Sequence, residues 1–272
     1  MAAPHFVVVG NPVGHSLSPV IHAHFAREAG IALEYTTLLA PLEAFERVTR
    51  GFFAAGGRGA NITLPFKVEA LALANLASAR ARLAGAANVL TAKGAILEAD
   101  NTDGAGLVSD LRRNLGIALS GARIAMIGAG GAARGAIAPL LACNPSVLVV
   151  VNRTPDRART LANRFASLGN IEGRALDALA QDRFDVIVNA TSTSTKGTPL
   201  ELPAECLAPG ALAYDMAYGP AARAFVDKAK AQGARASDGL GMLVEQAAEA
   251  FWLWHGIRPA TQSILALLRE GA

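Results

Sequence analysis

The chain has 272 residues, 52% hydrophobic and 17% charged, which excludes a disordered polymer and gives enough length for two modest domains with full-sized cores. The formal charge of +3 comes without a long Lys/Arg run and with 6% aromatics, so a nucleic-acid partner is not expected and a small anionic ligand explains the excess better. Cys143 and Cys206 lie far apart, outside any CxxC or Cys/His spacing, so neither a disulfide framework nor a zinc site is indicated and a reducing cytoplasm fits.

Residues 6–9 form an apolar run too short for a signal-peptide core, and they read as a buried strand leading into the loop Gly10-Asn11-Pro12-Val13-Gly14-His15-Ser16-Leu17-Ser18-Pro19. Pro19 suits the first turn of a helix, with Ser18 as its N-cap and Gly30 as its stop. Two hydroxyls, Ser16 and Ser18, beside that helix start can bind a carboxylate. His22 and His24 do not share a helical face, so they are not expected to hold a metal. Residues 33–39 read as a second strand, 42–55 as a helix and 59–63 as a third strand, giving β-α-β-α-β. The third strand runs into Asn61-Ile62-Thr63-Leu64-Pro65-Phe66-Lys67, which puts polar side chains at a strand's carboxyl end, where ligands bind open α/β sheets.

Residues 86–91 and 95–99 flank Lys93-Gly94 as a hairpin. Asp100-Asn101-Thr102-Asp103-Gly104 then caps a helix expected over 105–115. Next comes Ile124-Ala125-Met126-Ile127-Gly128-Ala129-Gly130-Gly131-Ala132-Ala133, a strand breaking into glycines and then a helix. In that segment Gly128 makes the turn, Gly130 lets backbone N–H groups approach a pyrophosphate, and Ala133 holds the helix against the sheet. A second strand, 147–151, follows at βαβ spacing and ends in Asn152-Arg153-Thr154-Pro155-Asp156-Arg157. An acidic residue there would grip a ribose 2′-hydroxyl, whereas Arg153 and Arg157 suit a 2′-phosphate, so NADP is expected over NAD. The uncharged stretch 135–152 is broken by Pro139, Asn144 and Pro145 and is not a membrane span, and Pro139 should disturb or end the helix after the glycine turn. Further on, 157–168 reads as helix, 184–189 and 211–215 as strands, and 220–231, 242–254 and 261–268 as helices, with Trp252 and Trp254 as packing residues.

Over nearly its whole length the chain resembles the shikimate dehydrogenase family. The resemblance rests on Gly10-Asn11-Pro12 with His15-Ser16-Leu17-Ser18-Pro19, Asn61 to Lys67, Asn101-Thr102-Asp103-Gly104, Gly128 to Ala132, Asn152-Arg153-Thr154, Asn189-Ala190-Thr191-Ser192, Asp215-Met216-Ala217-Tyr218 and Gly241-Met242-Leu243-Val244-Glu245-Gln246-Ala247. It implies two α/β domains. One is a substrate domain, 1–104 completed by the C-terminal helices in 241–272, and the other is a Rossmann-type NADP-binding domain, 105–240. The implied activity is reversible NADPH-dependent reduction of 3-dehydroshikimate to shikimate, in aromatic amino-acid biosynthesis, by a cytoplasmic monomer or homodimer.

By the same resemblance Lys67 is catalytic with Asp103 as its neighbour, and the substrate contacts are Ser16, Ser18, Thr63, Asn88, Asp103, Tyr218 and Gln246. The cofactor contacts are Gly128, Ala129, Gly130, Gly131, Ala132, Asn152, Arg153, Thr154, Arg157, Thr191, Met216 and Gly239. Leu17 replaces a basic residue common in the family, Val89 stands where Thr is common, and Thr193-Ser194-Thr195-Lys196-Gly197 is unusual. Shikimate oxidation needs a proton acceptor at the reacting hydroxyl. Lys67 is favoured for that role, with Asp103 or the pair acting as one unit as alternatives. Competing functions are a quinate/shikimate dehydrogenase using NAD and a non-catalytic NADPH-binding sensor. The Arg153 region disfavours the first, and retention of both Lys67 and Asp103 disfavours the second.

Overall fold

Short β-branched runs supply the buried strands. In the first unit they build β1 (His5–Gly10), α1 (Ser18–Ala29), β2 (Glu34–Leu39), α2 (Phe45–Ala54) and β3 (Gly59–Ile62). β1 lies between β2 and β3 and is parallel to both, so the loops leaving β1 and β3 emerge side by side at a point where the strand order reverses. α3 (Lys67–Leu73), β4 (Leu76–Ala77) and α4 (Ala79–Ala84) follow, then the antiparallel hairpin of β5 (Val89–Lys93) and β6 (Ile96–Asp100), turned at Gly94. The sheet order is β2-β1-β3-β5-β6-β4. The computed structural model describes residues 3–194 and 200–271, and its two compact units are Met1–Gly106 with Val244–Ala272, and Leu107–Leu243.

The last two helices, α9 (Leu240–His255) and α10 (Gln262–Glu270), bring most of their length to the first unit. Phe251 is buried there, and Trp254 packs on Phe6 and donates from Nε1 to Thr91 Oγ1 at 3.1 Å. His22, fully buried, stacks flat on Tyr35 at 4.3 Å, which makes it a core aromatic and not a ligand. No group of His, Cys, Asp and Glu among the described residues could hold a metal ion.

The second unit holds β7 (Arg123–Ile127), α6 (Gly131–Leu141), β8 (Val147–Asn152), α7 (Pro155–Phe165), β9 (Ile171–Ala175), β10 (Phe184–Asn189), β11 (Leu207–Asp215), α8 (Pro220–Ala231) and β12 (Arg235–Ser237). All its strands are parallel, in the order β12-β11-β10-β7-β8-β9. Its first strand is central, with the second and third running out on one side and the fourth to sixth on the other. This is the doubly wound arrangement that leaves a ligand crevice between the first and fourth strands, here β7 and β10. No helix among the described residues is long and apolar enough to cross a membrane.

Four sequence expectations are corrected. Ser18 is the first residue of α1 and not its cap; Leu17 occupies the cap position, and the Ser16 hydroxyl accepts from the Ser18 N–H at 3.3 Å. The helix expected over 105–115 is α5 (Asp103–Ser109) followed by a π-helical turn, Asp110–Asn114. That turn is pinned by the buried Asp110 carboxylate, which accepts from Tyr214 Oη at 2.7 Å and from Asn114 at 2.9 Å. Pro139 does not stop α6 at once: it stands inside the helix, which runs two residues further and ends at Leu141. Residues 166–168 of the expected 157–168 helix form a separate 3₁₀ turn. The edge strands β4, β9 and β12 gave no apolar run to read, since they are short or half exposed.

Candidate active site

Lys67 opens α3 just beyond β3, and Asp103 opens α5 just beyond β6. The fold brings these residues, 36 apart in sequence, into direct contact: Lys67 Nζ donates to Asp103 Oδ2 at 2.6 Å. The lysine side chain keeps 27% of its exposure and the aspartate 8%, so a small molecule can reach the amine while the carboxylate is held from behind. Asp103 Oδ1 accepts from Asn88 Nδ2 at 3.0 Å, and the Asp103 N–H is held by Asn101 Oδ1 at 3.1 Å. Asn101 is itself tied through Nδ2 to the carbonyl of Ala86.

Asn88, buried just before β5, is the hub. Its Oδ1 accepts from the Thr102 N–H at 2.7 Å, and its Nδ2 lies within reach of Thr102 Oγ1, Asp103 Oδ1 and Gln246 Oε1. An amide nitrogen carries two hydrogens, so these three acceptors share two bonds. Lys67, Asp103, Asn88 and Gln246 thus form one connected group, with Thr102 and Asn101 as members that carried no sequence assignment.

Ser16 and Ser18 touch each other beside the uncapped start of α1. Thr63 is half buried after β3, with its methyl against Gly10, where a Cβ would overlap it. Tyr218 belongs to the second unit, where burial raises its phenol above the usual range.

In that unit the glycine turn runs close to the loop that leaves β10. Gly128 has φ +111°, and a Cβ on it would sit 3.1 Å from the carbonyl oxygen of Ala190, across the β7/β10 crevice. Gly130 caps α6 without any side-chain partner for the first-turn N–H groups, Gly131 and Ala132 continue the turn, and Ala133 is fully buried against the sheet. Ala129 is half buried in the loop. At the end of β8, Asn152 Nδ2 bonds the carbonyl of Thr154, which caps α7. Arg153 and Arg157 are exposed, and no described carboxylate pairs with either.

A second braced cluster joins the next loops. Asn189 Oδ1 accepts from the N–H and hydroxyl of Thr191, and its Nδ2 donates to the buried Asp215. Asp215 also accepts from Ser194 Oγ at 2.5 Å and from the Ala217 N–H, and its carboxyl is pushed up by desolvation. Met216 bonds through its N–H to the Asn189 carbonyl, and the buried Gly239 packs so close to Met216 that a Cβ would overlap the Met216 carbonyl. Thr191, Met216 and Gly239 are therefore neighbours of one network. Thr193 bonds Thr191, whereas Thr195, Lys196 and Gly197 lie outside the described residues.

Comparison with known proteins gives concordant matches along the chain. Residues 8–90 match the model for the shikimate dehydrogenase substrate binding domain, 110–207 that for shikimate/quinate 5-dehydrogenase, and 239–269 that for the shikimate 5′-dehydrogenase C-terminal domain. The chain is 51% identical to the shikimate dehydrogenase (NADP(+)) of Acidovorax sp. strain JS42, covering 98% of this chain and 96% of the relative. Among solved structures it is similar to an Ael1 enzyme from Pseudomonas putida, with TM-score 0.92, 42% identity and 98% of each chain covered. It is likewise similar to shikimate 5-dehydrogenase from Thermus thermophilus in complex with NADP(H) and shikimate, with TM-score 0.87 and 35% identity over 99% of this chain and 100% of that one.

Proposed function

The chain belongs to the shikimate dehydrogenase family, and from that premise we infer how its own residues divide the work of NADP-dependent interconversion of shikimate and 3-dehydroshikimate. The first unit serves as the substrate domain and the second as the dinucleotide domain. The second unit's residues fit the cofactor: a left-handed glycine against the neighbouring loop, unsatisfied N–H donors at the start of α6, and exposed arginines where a 2′-phosphate would lie. NADP, when bound, supplies the hydride acceptor.

Shikimate's carbinol hydroxyl must lose its proton as its carbon is oxidised. Lys67 accepts that proton as a neutral amine and returns it as an ammonium in the reductive direction. Asp103, fixed on both oxygens, orients the amine and the hydroxyl. Asn88 and Gln246 hold ring hydroxyls, and Ser16 and Ser18 receive the carboxylate with hydroxyl and helix-terminal N–H donors. Thr63 and Tyr218 complete the substrate contacts. Two free cysteines support a cytoplasmic setting.

The observation that carries this reading is the 2.6 Å Lys67–Asp103 contact at the mouth of the first unit's strands. Nicotinamide absorbance followed with shikimate or quinate, each against NADP and NAD, tests it. The highest kcat/KM is expected for shikimate with NADP. Turnover fastest with quinate and NAD would replace the reading by that of a quinate dehydrogenase, and binding without turnover by that of a sensor.

A further inference from the structure

Among the described residues Arg134 is a cation without a counterpart. It stands in the second turn of α6, and its Nε is buried with no hydrogen-bond partner. The helix cannot supply one, because the residues three and four positions away are Gly130, Gly131, Ile137 and Ala138, none of them acidic. The first turn of α6 also carries no acidic residue, and no described carboxylate forms an ion pair with Arg134. Leaving a buried donor unpaired is costly, so a position that keeps one is suited to an acceptor that arrives from outside.

The direction of the side chain indicates where that acceptor would be. Helical side chains lean toward the N-terminus. Arg134 does so: its Nη2 lies 3.9 Å from the place a Gly131 Cβ would occupy, beside the glycine turn and on the half-exposed face opposite the buried Ala133. We propose that Arg134 is a phosphate-binding residue of the dinucleotide site, its planar guanidinium adding a charged fork to the N–H donors at the start of α6. The proposal rests on the NADP reading and extends it to a residue outside the glycine turn and outside the arginines after β8. A phosphate there is either the diphosphate bridge or the 2′-phosphate, and both offer the same oxygens.

Calorimetric titration of the full-length protein with NADP⁺, 2′,5′-ADP and 5′-ADP tests it, with shikimate binding and melting temperature measured beside them. Arg134→Gln should weaken NADP⁺ about 10- to 100-fold, the scale of a charge-assisted bond, and should flatten the salt dependence of Kd while leaving shikimate binding unchanged. Weakening of 5′-ADP, with or without a loss for 2′,5′-ADP, whose 5′-phosphate is only the adenosine half of the bridge, assigns Arg134 to the diphosphate, and weakening of 2′,5′-ADP alone assigns it to the 2′-phosphate. All three nucleotides binding Arg134→Gln within twofold of the parent would overturn the proposal while leaving the cofactor reading intact. A folded parent that binds none of them would overturn both. Should Arg134→Gln fail to fold, Arg134→Lys, which keeps the charge and loses the fork, carries the same test with a smaller loss expected.

Discussion

At the reactive end of the first unit the polar side chains are spent on one another, whereas at the glycine turn of the second unit the strongest donors are left open. Lys67, Asp103, Asn88, Thr102 and Gln246 make a connected set of short bonds, and Asn101 fixes the backbone beneath them. Around α6 and α7 the N–H groups of the first turn lack side-chain caps, and Arg134, Arg153 and Arg157 face no described carboxylate. The difference follows from what each end must do. Proton transfer needs groups locked in one geometry before the substrate arrives, and a neighbouring network provides that. Holding a polyanion needs uncompensated positive potential, and an internal salt bridge would cancel it.

The comparison breaks most sharply at Lys67. Lys67→Ala should lower kcat by about 10²–10⁴ while changing the KM for shikimate comparatively little, since the amine is required for the proton and not for the grip. Steady-state kinetics across pH, run beside Asp103→Asn, checks this. Near-parental kcat in Lys67→Ala would return the lysine to a binding role and pass the proton to Asp103.

On the open side, charge reversal of Arg153 or Arg157 should raise the KM for NADP about 10- to 100-fold, as expected for losing a charged bond and adding repulsion, with much less change for NAD. Kinetics with both cofactors reads the ratio. Equal losses would mean that these arginines support the helix start and do not choose the phosphate. Between the two regimes lies the pair Ser16 and Ser18, which bond each other yet stand at an uncapped helix start. Replacing both by Ala should weaken shikimate binding by about 1–3 kcal/mol with unchanged NADP affinity, measured by titration with melting temperature as control.

How much of this was legible in the sequence differs between the regions for the same reason. The cofactor end is local: strand, glycine turn, helix and the next strand's Arg153 lie within thirty-odd residues and declare themselves by type and spacing. The reactive end is assembled across the chain. Asn88, Asp103 and Gln246 meet only because the β5–β6 hairpin doubles back and α9 returns to the first unit, and periodicity carries no such information. Family resemblance brought Lys67 and Asp103 together, and the structure added Thr102 and Asn101. The π turn at Asp110 was invisible for a related reason: it is set by Tyr214, more than a hundred residues away, and by Gly241, where any Cβ would overlap the Asp110 carboxylate. Pro139 marked the end of α6 to within two residues, since the helix closes at Leu141.

The smallest effect at neutral pH is also the one that separates the two units in acid. His22, buried between Tyr35 and α9, is held down to about 3 chiefly by burial. Among the described residues neither ring nitrogen has a hydrogen-bond partner within bonding geometry; nearby Asn61 favours the charged form and His255 opposes it, each by less than burial does. An unfolded histidine protonates near 6.5, so below that pH the unfolded state takes up a proton that the folded state refuses. Stability contributed by a neutral His22 is therefore complete above about pH 6.5 and drains as pH falls toward 3, at up to about 1.4 kcal/mol per pH unit. Lower still, the carboxyls of Glu249 and Asp100 act with the same sign. Both are held below their ordinary values against a burial cost that pushes the other way, through hydrogen bonds and charge from Arg80, with Arg258 also on Glu249 and Ser78 on Asp100. The second unit carries the opposite sign at Asp215, whose raised carboxyl binds its proton more readily folded than unfolded and so gains stability as pH falls. Hydrogen exchange between pH 7 and 4 should show amides of β1 and α9 losing protection before those of β7 and β8. His22→Phe, which keeps the stack on Tyr35 and removes the titrating ring, should flatten the loss between pH 6.5 and 4.5 and leave the second unit's profile unchanged. An unaltered slope in that window would show that the first unit's acid sensitivity there does not reside in His22, and would pass it to His255 of α9, whose imidazole burial also holds below its ordinary value.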